Sequence, residues 1–505
     1  MSETGTARTG TVDTKVPARL DRLPWSRWHW TIVVGLGTVW ILDGLEVTVV
    51  GNVAGRLAEE GSGLAISGAQ VTGLAAALYV AGACSGALFF GWLTDRYGRK
   101  KLFLVTLAVY LAATALTALS TSDWWFFLFR FLTGFGIGGE YAAINSAIDE
   151  LIPSKYRGRV DLIINGSFWL GAMAGALLSV LALNTDIFPK DVGWRLTFAL
   201  GVVLGLAILL VRRNVPESPR WMFIHGRERE AEELVAGVER EVERETGKPL
   251  PEPETSITIS RRHSVGFGMI AKTVFRSYPK RAVLGLSLFV GQAFLYNAIT
   301  FGFASVLITF FDVATGATGY YFTVIALGNF LGPLVLGPLF DTVGRKPMIA
   351  GTYITSGLLL FATAWLFDTG RLDATTMTAC WCVVLFFASA GASSAYLTVS
   401  EIFPMETRAM AIAFFYAVGT AAGGISGPLL FAELTSSGVV GDTVLAFCVG
   451  AALMTAAGLV ALFLAVKAEG RSLESIATPL SAQAAGGVAA PAAAAVSRGG
   501  GASRT

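Results

Sequence analysis

Residues 91–100 read Gly91-Trp92-Leu93-Thr94-Asp95-Arg96-Tyr97-Gly98-Arg99-Lys100, and the pattern returns at 337–346 as Gly337-Pro338-Leu339-Phe340-Asp341-Thr342-Val343-Gly344-Arg345-Lys346, 246 residues later. Two more pairs keep nearly that offset. Glu150, Pro153 and Arg157 are spaced like Glu401, Pro404 and Arg408, 251 residues on. Glu217, in Pro216-Glu217-Ser218-Pro219-Arg220-Trp221, precedes Glu469, in Glu469-Gly470-Arg471-Ser472-Leu473-Glu474, by 252. Three matched pairs at a near-constant offset indicate a duplicated unit. A parallel repeat of this kind suits two bundles related by an axis along the membrane normal, with a binding site between them.

The segments between these motifs are apolar. A spanning helix needs roughly 20 mainly apolar residues. Runs that qualify lie near 29–51, 69–92, 102–120, 124–146, 160–183 and 195–211, then 282–310, 318–340, 348–367, 375–399, 409–434 and 443–466. They predict an all-α integral membrane protein of twelve helices in two six-helix bundles. Composition agrees: of 505 residues 53% are hydrophobic and 15% charged, with a mean hydropathy of +0.60. Soluble domains are about 45–50% apolar and about 25% charged, so a water-soluble enzyme is excluded. Four cysteines exclude a secreted cystine framework. Basic residues in short clusters between apolar runs exclude a nucleic-acid-binding face.

Those clusters set the expected orientation. With both termini inside, 33 of the 38 Lys and Arg fall in inner segments and only Arg56, Lys190 and Arg371 in outer loops, which places both ends in the cytoplasm. The expected organisation is a cytoplasmic N-terminal segment (1–28), a six-helix bundle (29–211), a cytoplasmic linker with charged helices (212–281), a second bundle (282–466) and a cytoplasmic, largely disordered tail (467–505). The first helix is longer than a signal-peptide core and lacks a following small-residue cleavage site, so it is expected to stay uncleaved. In the linker, Arg227-Glu228-Arg229-Glu230 and Glu239-Arg240-Glu241-Val242-Glu243-Arg244-Glu245 carry mixed charge at i,i+4 spacing, as a solvated helix does.

These motifs resemble the signature of the major facilitator superfamily, and the acid-Pro-Arg and Pro-Glu-Ser-Pro-Arg elements are similar to those of its sugar-porter and metabolite:proton symporter branch. The resemblance runs from about Trp28 to Ile476. It implies alternating access with a cytoplasmic gate formed by Gly91, Asp95, Arg96, Gly98 and Arg99, with Glu150, Arg157, Glu217 and Arg220. The second half would contribute Asp341, Gly344, Arg345, Glu401, Arg408 and Glu469. The positive-inside rule alone accounts for the basic residues, whereas the acids are not required by topology.

Charge at bilayer depth costs at least ~2.5–3.5 kcal/mol, so a charged group there is a functional candidate. Asp43 and Glu46 in the first helix share a face, and Arg130 and Glu140 lie in the fourth. Three acids against one base favour proton uptake by one carboxyl, the chemistry of a proton-coupled carrier. The resemblance adds that Gly44-Leu45-Glu46 and Arg130-Phe131-Leu132-Thr133-Gly134 occupy the sugar-porter acid and arginine positions, with Glu for Asp. Asp43-Gly44-Leu45-Glu46 is also similar to the Asp-Gly-x-Asp of aromatic-acid symporters, and Gly138-Gly139-Glu140-Tyr141 to the Gly-Glu of organic-ion carriers. A self-neutralised cluster that only locks packing is the structural alternative.

Asn165, Gln292, Asn297 and Tyr396 are polar groups in apolar helices, able to donate to or accept from a solute or to tie helices together. Gln292 and Asn297 keep a sugar-porter spacing, but Gly291 and Leu295 replace two of that motif's residues. Asn165 stands where the family has Gln, and Tyr396 where it commonly has Trp. The thinned amides favour an organic acid, organic cation or other small metabolite over a hexose. Cys380 and Cys382 face different sides of a helix and the three histidines form no ligand set, so no metal and no cofactor are expected, with a proton gradient as driving force. The reading is a non-enzymatic, multi-pass carrier of the plasma or inner membrane, working as a monomer with a small-molecule substrate, protons and lipid as partners. Proton symport is the first expectation. A facilitative uniporter or proton-driven exporter is the alternative, and a transporter-derived sensor ranks lower.

Overall fold

The computed structural model describes residues 11–64, 66–212, 217–253, 256–260, 273–404 and 408–477. The tail from residue 478, expected to be disordered, lies outside the described residues, as do the side chains of Asp95, Arg96, Arg99 and Arg220 from the expected gate. Among the described residues, twelve helical stretches of at least 20 residues occur. In the first half they are α1 (Arg27–Leu57), α2 (a π-helical turn Gln70–Ala75 continuing as Ala76–Tyr97), α3 (Arg99–Ala118) and α4 (Asp123–Leu151). Then come α5 (Arg157–Gly166 and Phe168–Ala182) and α6 (Lys190–Arg212). The second half repeats them as α7 (Pro279–Phe311), α8 (Thr318–Thr342), α9 (Arg345–Asp368) and α10 (Ala374–Ile402). It ends with α11 (Arg408–Thr420, a π-helical turn Ala421–Ile425, and Ser426–Ser436) and α12 (Val440–Leu464). Ten of them are long and apolar enough to cross a membrane by themselves. The other two are α6 and α4, which carries Arg130 and Glu140.

The repeat is visible in the backbone. The break between α2 and α3 falls on Gly98 (φ 88°), and that between α8 and α9 on Gly344 (φ 114°). Only glycine adopts such a conformation without strain, which explains the invariant punctuation of the two motifs. The halves meet where α5 packs on α8 and α10, α2 on α11, and α1 on α7.

Outside the bundles the expectation needs correction. The mixed-charge helix Glu228–Thr246 is not merely solvated: Ala231, Val235, Val238 and Val242 form a buried stripe. They pack on Met222 and Phe223 of the short helix Pro219–Ile224 and on Val16, Leu20 and Leu23 of the N-terminal segment. The spacing is i, i+4, i+7, i+11, one helix face. Arg19 Nε donates to Glu239 Oε1 at 2.9 Å, and Arg19 also pairs with Glu232. A two-stranded antiparallel ribbon, Thr11–Thr14 with Ile257–Ser260, again ties the N-terminal segment to the linker.

Candidate solute cavity, buried charges and gate

The glycines decide how closely the helices approach. A Cβ on Gly82, Gly86, Gly134 or Gly138 would lie 1.9–2.0 Å from a backbone carbonyl oxygen of the facing helix, so α2 and α4 are in backbone contact. Gly44 and Gly171 bring α1 and α5 together the same way, with gaps of 1.8 and 1.6 Å. Small residues at such seams are what lets apolar helices associate in lipid.

Between the halves lies a cavity whose water-accessible interior measures about 140 Å³. Asn165 of α5, Gln292 and Asn297 of α7 and Tyr396 of α10 all line it, so the structure gathers the four expected pocket residues in one place. Asn165 Nδ2 donates to Asn145 Oδ1 at 3.1 Å and to the Asp161 carbonyl at 2.9 Å. Asn297 Nδ2 donates to the Ala293 carbonyl at 2.8 Å. Ser389, Ser393, Thr300 and Thr420 add hydroxyls.

Sequence reasoning missed the cavity's dominant feature, its aromatic wall. Trp40, Tyr79, Tyr141, Trp169, Tyr296 and Tyr416 line it beside Tyr396. Trp40 and Tyr141 stack with centroids 4.7 Å apart and planes 5° apart, and Tyr416 meets Tyr141 edge-on at 4.9 Å. Aromatic residues in apolar helices look like core filling in a sequence. The available signal was position: Trp40 lies three residues before Asp43, and Tyr141 follows Glu140. Among the described residues, no charged side chain lines the cavity.

The charges sit behind that wall. Asp43, Glu46, Arg130 and Glu140 are all completely buried. Glu46 accepts from Thr114 Oγ1 at 3.1 Å, and its other oxygen occupies space left by Gly201, where a Cβ would lie 1.6 Å away. Arg130 is within electrostatic reach of Glu46. Its guanidinium lies 5.1 Å from the ring centroid of Tyr79 and 5.6 Å from that of Phe198. Asp43 is close enough to act electrostatically on Tyr79, Tyr141 and Tyr416. Glu140 stands apart from this group. It accepts from Thr106 Oγ1 at 3.0 Å and is ten residues from Arg130, about 15 Å along the helix. Asp161, fully buried on α5, is a further carboxyl that the sequence reading passed over.

At the end of the bundle bearing the loop motifs, the expected gate residues divide by role. Arg345 Nε and Nη2 donate to the two carboxylate oxygens of Glu401, each at 3.0 Å. Arg345 Nη1 donates to Asp341 Oδ1 at 2.9 Å. These bonds lie within the second half. Among the described residues, four polar links cross between halves here: Arg157 to Glu401 at 3.8 Å, the backbone N–H groups of Gly158 and Arg159 donating to Asp341 at 3.1 and 2.9 Å, and the Arg159 side chain pairing with Asp341 at 3.5 Å. Glu217 and Glu469 do something else. They accept backbone N–H bonds from Lys100 (3.2 Å) and Arg345 (3.3 Å), at the starts of α3 and α9, where a helix favours negative charge. Glu150 accepts the Ser218 hydroxyl, and Arg408 Nε donates to the Ser400 carbonyl at 2.5 Å. Gly91 packs against Ala413 and Met410 of α11.

Three participants here were not anticipated. Gly158 has no room for a side chain, since a Cβ would lie 2.3 Å from Arg345 Nη1. Asp21, from the N-terminal segment, pairs with Arg157 at 3.6 Å and accepts from the Ser154 N–H at 3.0 Å. Ser218 also caps the helix Pro219–Ile224 by accepting the Trp221 N–H. At the opposite end the halves also touch, at Gly55 with Thr315 and Gly319 with the Ala176 carbonyl. Among the described residues, no group of three or more His, Cys, Asp or Glu is placed to hold a metal.

A family model described as "Sugar (and other) transporter" matches residues 33–480. The chain is 28% identical over 463 residues to a niacin transporter of Acinetobacter baylyi, covering 91% of this chain and 99% of that protein. It is 26% identical over 418 residues to an inner membrane metabolite transport protein of Escherichia coli, covering 82% and 87%. Its fold is similar to that of a proton:xylose symporter of the major facilitator superfamily solved with 6-bromo-6-deoxy-D-glucose, with a TM-score of 0.71, 17% identity and coverage of 89% and 98%.

Proposed function

Because this chain belongs to the sugar (and other) transporter family, and is thus a multi-pass transporter of a small solute in the plasma or inner membrane rather than an enzyme, we infer that its cargo is a planar aromatic or heteroaromatic acid or amide. The single observation behind this is the wall of stacked rings around a cavity that no charged side chain lines. Flat rings bind flat rings through offset or edge-on packing, and the amides of Asn165, Gln292 and Asn297 supply donors for a carboxylate or carboxamide. Niacin transport, for which the Acinetobacter relative is named, fits this chemistry. Uptake is by proton symport, with Glu46 or Asp43 as the proton site and Arg130 as its partner. A proton travelling with a carboxylate makes entry electroneutral, which suits a cavity without a fixed cation. Both termini face the cytoplasm, so the ion-paired end of the bundle is the inner gate.

The test is uptake of radiolabelled nicotinate into proteoliposomes with an imposed pH gradient. Gradient-driven accumulation, competed by nicotinamide and benzoate and unaffected by D-xylose, is expected. Transport of D-xylose without nicotinate would instead mark a sugar cargo, and nicotinate uptake indifferent to the gradient would mark a uniporter.

A further inference from the structure

We propose that Tyr79 is the positioning residue through which a solute in the cavity controls proton binding at Glu46, an inference that rests on the symport reading above. Tyr79 has two faces of different chemistry. It lines the solute cavity, and its ring lies 5.1 Å from the Arg130 guanidinium. The side chain is only 4% exposed. It is held there by backbone rather than by side-chain packing alone, because Gly134, one turn past Arg130, presses on the Tyr79 carbonyl and would place a Cβ 2.0 Å from it. The ring therefore cannot drift away from the arginine without separating α2 from α4.

Arg130 has few other partners. All three guanidinium nitrogens are buried and make no hydrogen bond among the described residues. What holds the charge is the pair of rings, Tyr79 and Phe198, together with Glu46. A desolvated cation over an aromatic face is a substantial attraction, so ring and carboxylate compete for one guanidinium. A solute stacked on the cavity side presses the Tyr79 ring onto Arg130. The cation is then drawn from Glu46, whose carboxylate is left uncompensated and takes a proton. The sign is that of a symporter: solute favours proton, and by linkage proton favours solute.

The other titratable groups around Tyr79 are Asp43 on α1, Tyr141 on α4, Tyr396 on α10 and Tyr416 on α11. None of them combines contact with Arg130 and a place on the cavity wall, among the described residues.

The experiment uses the full chain reconstituted on a solid-supported membrane. A pH jump without solute reads the charge moved on protonation, and its midpoint pH is measured for wild type, Glu46→Gln, Tyr79→Phe and Tyr79→Leu. Wild type is expected to give a current, which tests the symport reading by itself, and Glu46→Gln is expected to abolish it. Tyr79→Phe keeps the ring and the wild-type midpoint. Tyr79→Leu removes the ring, lets Arg130 turn wholly to Glu46 and lowers the midpoint by about one pH unit. Added nicotinate raises the midpoint of wild type and Tyr79→Phe and leaves that of Tyr79→Leu unmoved. Nicotinate binding, followed by quenching of the cavity tryptophans Trp40 and Trp169, weakens in Tyr79→Leu by roughly threefold to tenfold for the lost stacking ring, so nicotinate is kept saturating for every variant. An unchanged solute-free midpoint in a folded Tyr79→Leu overturns the proposal whatever the cargo is. A missing wild-type current overturns the symport reading and the proposal with it, whereas a current that survives Glu46→Gln overturns the proposal and leaves symport with Asp43 as the proton site.

Discussion

Arg345 grips Glu401 with two hydrogen bonds of 3.0 Å, and the same carboxylate is reached across the bundle interface by Arg157 at 3.8 Å. One acid thus serves a rigid bond within its own half and a looser one between halves. The first can persist through a conformational cycle while the second breaks. Removing one member of a buried ion pair costs about 3–5 kcal/mol because it strands the other charge, but Glu401→Gln keeps an acceptor. We expect Glu401→Gln to favour opening of the motif end, read as at least a tenfold faster alkylation of a cysteine placed at cavity residue Ser393.

Gly158 tests the same interface without touching a charge. A Cβ there would lie 2.3 Å from Arg345 Nη1 and 2.4 Å from Asp341 Oδ1. Gly158→Val should therefore open the motif end as Glu401→Gln does. Its accessibility assay should show the change even though every ionisable group is retained. Unchanged alkylation would mean that the contact of α5 with the α8–α9 loop does not hold this end closed.

These cases show what the sequence could reveal. The glycines at 98 and 344, the Glu401 and Arg345 pair and the two bundles were legible because duplication marks them twice, once in each half. Gly158 and Asp21 were not, since neither has a counterpart in the repeat and their partners are distant in the chain. The four pocket residues could be found because a polar group in an apolar helix is conspicuous. The aromatic wall is no less part of the cavity, yet a tyrosine at 79 or 416 gives the same signal in a sequence whether it faces a lipid, a core or a solute. The apolar stripe of Glu228–Thr246 was hidden for the opposite reason, because a high density of charge drew the reading to the solvated face.

The N-terminal segment is held to the linker helix by a titratable contact. Burial alone would raise the Glu239 carboxyl, but hydrogen bonds from Arg19 and Arg22 outweigh it and hold it below the ordinary carboxylate range. A depressed acid contributes stability above its unfolded value and loses it as the pH falls through the folded value. Docking of Val16–Asp21 should thus be unaffected between pH 8 and pH 6 and weaken only below the usual carboxylate range. Hydrogen exchange of residues 16–21 measures this, and Glu239→Gln should raise exchange at neutral pH and flatten its acid dependence.

The carboxyls of α1 and α4 should separate in function. Glu46→Gln is expected to abolish accumulation against a gradient while solute exchange across the membrane continues, because the cavity itself is untouched. Glu140→Gln, at a carboxyl that accepts from Thr106 and lies about three turns from Arg130 along α4, should keep gradient-driven accumulation. Loss of coupling in Glu140→Gln with retention in Glu46→Gln would reverse the assignment.

Trp40 should contribute to affinity rather than to coupling. Its ring is stacked on Tyr141 at 4.7 Å and meets Tyr396 edge-on at 6.2 Å, so it joins α1 to α4 and, across the interface, to α10. A favourable aromatic pair contributes about 0.5–1.5 kcal/mol beyond its area, or roughly threefold to tenfold in binding. Trp40→Leu keeps an apolar side chain beside the cavity but removes the stacking face. Nicotinate binding measured by calorimetry should weaken by about that factor, whereas the solute-free pH-jump midpoint stays where it is. A change in midpoint without a change in affinity would place Trp40 with the charge-handling residues behind the wall instead of on it.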